Sequence, residues 1–270
     1  MAVIDLDDTL LSPDKQISRA NLEALDALRR NFFEIVIASG RHHKNILGFE
    51  DRIGRQGWVI SSNGAVVRHA QTSAILHELV LSTAQFADVY RFGTEKDLAI
   101  IGYHADGSFA EAASEWTQRY ARNAGWQPYR GDLALLAQTG LQKLLLTHSP
   151  RRIDEIQPET EQRFGSEMYI VRTADEILEI AAPETNKLLG AQTVAKVLGI
   201  DRRNVAAFGD GNNDVEILSW AGLSVAMDHG RDSARKAAKL ISLPGPPGSA
   251  FARAVRVVLQ GGPVLIGAIR

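Results

Sequence analysis

Cysteine is missing from all 270 residues, which excludes disulfides, thiolate nucleophiles and thiolate metal sites together. The same absence fits a reducing compartment. A surplus of charge is missing too: 30 Lys and Arg stand against 32 Asp and Glu, for a formal net charge of -2. Such a balance gives no footing for a nucleic-acid groove or an anionic membrane surface. No apolar run approaches the roughly 20 residues that a membrane span needs. The start, MAVIDLDDTL, turns acidic at its fifth residue, where a signal peptide would be basic and then apolar. The expected address is therefore cytoplasmic, with neither nucleic acid nor membrane as partner.

What remains is an ordinary globular composition, 45% hydrophobic and 23% charged, in a chain long enough for two domains. Short apolar runs alternate with longer stretches of helical period, which predicts an α/β fold around a mostly parallel, Rossmann-like sheet. The runs are Ala2-Val3-Ile4, Ile35 to Ala38, Trp58-Val59-Ile60 and Val205 to Phe208. Ser18 is placed to cap a helix with Leu22, Leu25 and Leu28 on one face. Further helices are expected from Lys187 to Leu198 and from Asp214 to Trp220.

The middle of the chain reads differently. Residues 82–183 suggest helix, two strands, helix, strand, helix and two final strands, with a hairpin turn at His104-Ala105-Asp106-Gly107. Such a pattern is an α+β unit inserted into the core, leaving 1–81 and 184–270 as one discontinuous domain. Leu243 to Gly248 is a Pro/Gly loop, and the apolar tail GGPVLIGAIR reads as a last packed segment or a loose end.

Chemistry concentrates after the core runs. The first ends at Asp5, Asp7 and Asp8, and the second at Ser39-Gly40-Arg41. The third ends at Ser61-Ser62-Asn63-Gly64, and the fourth at Gly209-Asp210-Gly211-Asn212-Asn213-Asp214. In an open parallel sheet the carboxyl ends of the strands border one crevice. Asp5, Asp7, Asp210 and Asp214 would then crowd together, and two carboxylates about 4 Å apart repel by about 4 kcal/mol at an effective dielectric near 20. The cluster needs a cation or must take up protons. Oxygen ligands without cysteine or a histidine cluster favour Mg²⁺ over zinc. An aspartate beside such an ion can attack phosphorus, while a second carboxylate moves the proton.

The run Asp5-Leu6-Asp7-Asp8-Thr9-Leu10 resembles the first motif of the haloacid dehalogenase superfamily of phosphatases. Ala38-Ser39-Gly40-Arg41, Ser62-Asn63-Gly64-Ala65, Lys187 and Gly209 to Asp214 match its later motifs in order, and Val225-Ala226-Met227 is similar to a piece of the Cof-like branch. The resemblance implies that Asp5 is the nucleophile and a magnesium ligand. It makes Asp7 the general acid/base, lending its backbone carbonyl to the metal, and Asp210 a direct ligand. Ser39, Gly40, Lys187 and Asn213 would hold the phosphate. Asp214 would act through water or position Lys187, with Thr9 as a supporting residue. The inserted unit corresponds to a C2-type cap that closes over the site and selects a small phosphorylated metabolite. The same core would serve a phosphotransferase or mutase, or a ligand sensor that kept only the fold.

Three departures from the family pattern stand out. Asp8 occupies a position where the branch commonly has glycine, Ser39 replaces threonine, and Asp228-His229-Gly230 follows Met227 in place of glycine-asparagine-alanine. Simpler readings compete elsewhere. Asn63-Gly64 reads equally as a hairpin turn, and Arg41 fits either loop support or a ligand contact. His42, His43 and His229 read as solvated loop residues. Trp116, Tyr120 and Trp126 read as core of the insert, and Arg151-Arg152 as the exposed start of a helix.

Overall fold

The structure is a computed structural model that describes residues 1–54 and 57–260. The apolar tail expected at the end of the chain lies outside the described residues. Five strands precede the insert: β1 (Ala2–Asp5), β2 (Ile35–Ala38), β3 (Trp58–Ser61), β4 (Val66–His69) and β5 (Ile75–Glu78). The insert holds β6 (Ala99–His104), β7 (Gly107–Ala110), β8 (Tyr129–Arg130), β9 (Leu141–Thr147), β10 (Tyr169–Ala174) and β11 (Ile177–Ala181). The chain then returns through β12 (Ala206–Gly209), β13 (Leu223–Ala226) and β14 (Leu240–Ile241).

The first and last groups join in one eight-stranded sheet, ordered β14-β13-β12-β1-β2-β3-β4-β5. From β14 to β3 every pairing is parallel, while β4 and β5 close one edge antiparallel. Alternation along the strands sends side chains to two cores. Ala2, Ile4, Ile35 and Ile37 pack against helices Arg19–Arg30 and Ala250–Gln260. Met1, Val3, Val36 and Ala38 pack against helix Lys187–Leu198 on the other face. Burial on both sides is why these runs are continuously apolar. Chain order reverses at β1, with β2 on one side and β12 on the other, so the crevice opens at the carboxyl end of β1.

The insert forms a second sheet, ordered β10-β11-β9-β6-β7-β8 and antiparallel except between β7 and β8. Helices Thr83–Glu95 and Pro150–Phe164 cover one face through Phe86, Val89, Phe92, Ile153 and Ile156. Helix Glu115–Ala124 leans on the other through Tyr120, next to Tyr103 and Leu145. The expected hairpin forms between β6 and β7. Short pieces escaped the sequence reading: β8, helix Leu133–Ala137, and the β4–β5 edge. Helix Ala250–Gln260 escaped it too, although Phe251, Ala254, Val255 and Val258 carry a helical stripe.

Candidate active site

Side chains at the ends of β1, β2, β3 and β12 meet at the crevice. Lys187 is the first residue of its helix, whose Asn186 cap takes the Leu189 N–H. A lysine at a helix start opposes the macrodipole. It is held there because its Nζ lies 2.5 Å from Asp5 Oδ1 and 2.6 Å from Asp214 Oδ1. Burial alone would strip its proton, but the two carboxylates outweigh that and keep the amine charged, well above its ordinary pKa. Helix dipole and ammonium are the positive groups at this end of the crevice, set against the carboxylates of Asp5 and Asp214.

The acids divide by their partners. Asp214 spends both oxygens on protein donors: Lys187 on one, and the backbone N–H groups of Asp210 and Gly211 on the other at 3.0 and 2.9 Å. Thr9 Oγ1 donates to Asp210 Oδ1 at 2.9 Å. Carboxylate oxygens of Asp5, Asp210 and Asp214 lie within 4.8 Å of one another. Burial, then the charge of Asp214, raises Asp210 to about 7. Burial likewise pushes Asp5 well above the usual carboxylate range, against the pull of Lys187. A divalent cation would replace those protons. The donor set is all oxygen and fits a hard ion; Asp5 and Asp210 keep capacity for it, whereas Asp214 is committed to Lys187 and the loop backbone.

The turn Leu6–Leu10 carries the other acids. Asp8 sits in the left-handed region at φ 55, a conformation that glycine adopts freely and aspartate tolerates. His229 Nε2 bonds the Asp8 carbonyl oxygen at 2.8 Å. Two of the departures from the family pattern are therefore in contact. Asp7 is gripped by Arg41, whose Nε and second terminal nitrogen each reach one carboxylate oxygen at 2.7 Å, with Lys15 3.0 Å away. Burial acts to raise Asp7, but Arg41 and then Lys15 prevail and hold it down to about 2. Of the two roles left open for Arg41, the geometry has it clamp Asp7 while also donating to the Ala124 carbonyl at 2.6 Å.

Ser39 and Gly40 occupy the turn after β2, zipped to the next loop by Asn63 N–H to Ser39 O and Ser62 N–H to Arg41 O. Ser39 Oγ accepts from Arg41 N–H, which leaves its O–H to donate. Asn213 Nδ2 donates to Asn63 Oδ1 at 2.8 Å. Asn63-Gly64 does form the turn between β3 and β4, yet Asn63 also belongs to the crevice. Asp5, Ser39 and Lys187 are 7%, 1% and 1% exposed, and the inserted unit roofs the Ser39-Gly40 turn, while the Asp7 side chain stays 34% exposed.

Two residues of that roof were missed in the sequence. Lys143 Nζ reaches Glu179 Oε2 at 2.6 Å and the Gly40 carbonyl at 2.7 Å, and Asn63 Nδ2 donates to Glu179 at 2.7 Å. The available signal was a lone charge inside each apolar strand, Leu141 to Thr147 and Ile177 to Ala181. The solvated reading of His42 and His43 is corrected. Both are buried, and desolvation lowers each to about 4. His42 Nε2 bonds the His104 carbonyl at 2.7 Å while its Nδ1 accepts from the Lys44 N–H, the pattern of a neutral ring. Tyr120 is buried core as expected, and Arg151 is exposed.

Among the described residues no helix is long and apolar enough to cross a membrane. The chain is 28% identical over 230 residues to the HMP-PP phosphatase of Cronobacter sakazakii, covering 84% of this chain and 83% of that protein. A haloacid dehalogenase-like hydrolase from Bacteroides thetaiotaomicron superposes with a TM-score of 0.84 at 24% identity, covering 95% of this chain and 98% of that one. A sugar phosphatase of HAD subclass IIB superposes with a TM-score of 0.81 at 18% identity, over 95% and 98% of the two chains. Residues 2–245 match the haloacid dehalogenase-like hydrolases. With motifs, sheet order and insert agreeing, the chain belongs to that family, in its Cof-like branch.

Proposed function

We propose that the protein is a Mg²⁺-dependent phosphatase that hydrolyses a small phosphate monoester through an aspartyl-phosphate on Asp5. Phosphoric monoester hydrolysis is the reaction class that the family and its named relatives support. The observation that carries the reading is the convergence of Asp5, Lys187, Asp210 and Asp214 at the end of β1. An acidic cluster of that density, roofed and held by a single ammonium, suits a cation and a phosphate better than any packing role. The HMP-PP phosphatase and the sugar phosphatase are the kinds of relative that suggest a phosphorylated metabolite as substrate.

In this reading the residues divide the work as follows. Lys187, the Ser39 hydroxyl, the Gly40 N–H and the Asn213 amide hold the non-bridging oxygens. Asp5 attacks phosphorus in line, and the ester oxygen leaves with a proton from Asp7. Water then attacks the aspartyl-phosphate, Asp7 takes the water proton, and phosphate departs with Asp5 regenerated. Asp5, Asp210 and the Asp7 carbonyl would hold Mg²⁺, which neutralises the carboxylates and polarises the phosphoryl group. The Arg41 clamp makes Asp7 a ready carboxylate for the second half-reaction. To act first as an acid it must gain a proton, which the negative charge arriving with substrate favours. Residues 82–183 act as the cap that shuts water out until it is needed.

A phosphate-release screen over phosphorylated metabolites tests the reading, with EDTA and Asp5→Asn as controls. Turnover is expected with Mg²⁺ and lost in both controls, while Asp5→Asn keeps its native circular dichroism. An Asp5→Asn protein that still turns over would remove the nucleophile assignment.

A further inference from the structure

The Lys143–Glu179 pair belongs to the cap, not to the motifs of the core, and is almost fully buried at 0% and 6% exposure. A buried ion pair is a poor source of stability, since its desolvation offsets most of its attraction. Its contacts run into the phosphate pocket. Glu179 Oε2 receives Lys143 and Asn63, while Oε1 receives the Thr173 hydroxyl at 2.9 Å. Asn63 is thereby fixed at both ends of its amide, donating to Glu179 and accepting from Asn213. One hydrogen of the Asn213 amide is used, which leaves the other for a phosphate oxygen. Lys143 meanwhile fixes the Gly40–Arg41 peptide through the Gly40 carbonyl, and the N–H of that same peptide donates to Ser39 Oγ, so the Ser39 hydroxyl is held from the insert as well. Asn63 itself takes a left-handed backbone, φ 57, which points to a built position.

We propose that Lys143 and Glu179 are positioning residues that the cap lends to the phosphate pocket, Glu179 aligning Asn213 through Asn63 and Lys143 aligning the Ser39 hydroxyl through the Gly40–Arg41 peptide. This rests on the phosphatase reading and deepens it. Cap closure then does more than exclude water: it completes the set of oriented donors. With the cap open, Asn63 and Gly40 lose these partners, and phosphate is held less well.

The test compares wild type with Asn63→Ala, the double variant Lys143→Met/Glu179→Leu, and the triple combination. Removing both charges together avoids a stranded buried ion. The substrate is p-nitrophenyl phosphate with Mg²⁺, and the probe of the pocket is inhibition by orthovanadate. The double variant should stay folded, with its melting point lowered by the polar groups left on Asn63, Thr173 and Gly40, yet lose roughly tenfold in kcat/KM and in vanadate affinity, the scale of one charge-assisted hydrogen bond. Adding Asn63→Ala should cost little more, because the residues act in one chain. Unchanged vanadate inhibition in a stable double variant overturns the proposal, as do effects of Asn63→Ala that multiply in full. Should the double variant not fold, Asn63→Ala alone decides: it must weaken vanadate, and vanadate inhibition equal to wild type overturns the proposal. A wild-type protein that releases phosphate from no ester sinks the phosphatase reading and this inference with it. An active wild type with vanadate unmoved in the variants sinks this inference alone.

Discussion

Single residues carry the chemistry through their partners more than through their type. Asp5, Asp7, Asp210 and Asp214 are four aspartates with four environments: Lys187 on the first, Arg41 and Lys15 on the second, Thr9 on the third, and Lys187 with two backbone N–H groups on the last. Asp7→Asn should slow esters of poor leaving groups most, because aryl phosphates depart without a proton. A loss of about 10² or more on a sugar phosphate, against a much smaller loss on p-nitrophenyl phosphate, is expected. Equal losses on both would remove the acid role. His42 offers a second test. Its ring is neutral in the fold and titrates near 4 instead of 6.5. From pH 6.5 down to 4 the unfolded chain takes up a proton that the folded chain refuses, so stability falls across that window. Urea melts from pH 7 to 4.5 should show that decline, on the order of 2 kcal/mol for one such group, and a shallower one in His42→Gln. Parallel slopes would mean that His42 is not the group.

At the scale of elements, the loop after each strand delivers its side chain, and the helix that follows fixes it. Gly64 shows how tightly two elements are registered. It has φ +97, and a methyl group on it would overlap the Asn186 carbonyl, at the cap of the Lys187 helix. Gly64→Ala should therefore both strain the turn and push Lys187 off its carboxylates. A loss of about 2–3 kcal/mol in chemical denaturation is expected, together with reduced kcat. Stability lost with kcat intact would mean that the helix absorbs the shift elsewhere. Elements with continuous apolar runs followed by turn residues were legible in the sequence, as was the Ser18 cap, which accepts the Asn21 N–H. The β4–β5 edge was not, because Arg68, His69 and His77 interrupt its short runs. Neither were Lys143 and Glu179 as a pair. They stand 36 positions apart, on strands whose pairing no local pattern announces.

For the molecule as a whole, the seam between core and cap is polar. Arg41 to the Ala124 carbonyl, His42 to His104, Lys44 to Asp106, Ser62 to Gln142 and Asn212 to Arg172 all cross it. Such bonds exchange with water at little net cost, which suits the lid role proposed for the insert. The acidic cluster sets a second whole-molecule property. Asp210 titrates near 7 in the fold instead of 3.8, so the metal-free fold holds a proton that the unfolded chain releases. Its contribution weakens as pH rises from about 4 to 7 and stays low above that. A bound Mg²⁺ would take the place of the proton. Adding Mg²⁺ in place of EDTA should accordingly raise Tm more at pH 8 than at pH 5.5, and equal increments would place the ion elsewhere.

The sequence by itself determined the α/β alternation and the order of the acidic loops and the Ser39-Gly40 and Asn63-Gly64 turns along the chain. Those follow from local periodicity and from which residues can end a buried strand. Only the tertiary structure decided which carboxylates face lysine, arginine or hydroxyl, that His42 is buried and neutral, and that the insert sets an ion pair on the Gly40 turn. These depend on distances between segments far apart in the chain. Burial and pairing energies exist only once the strands have been placed side by side.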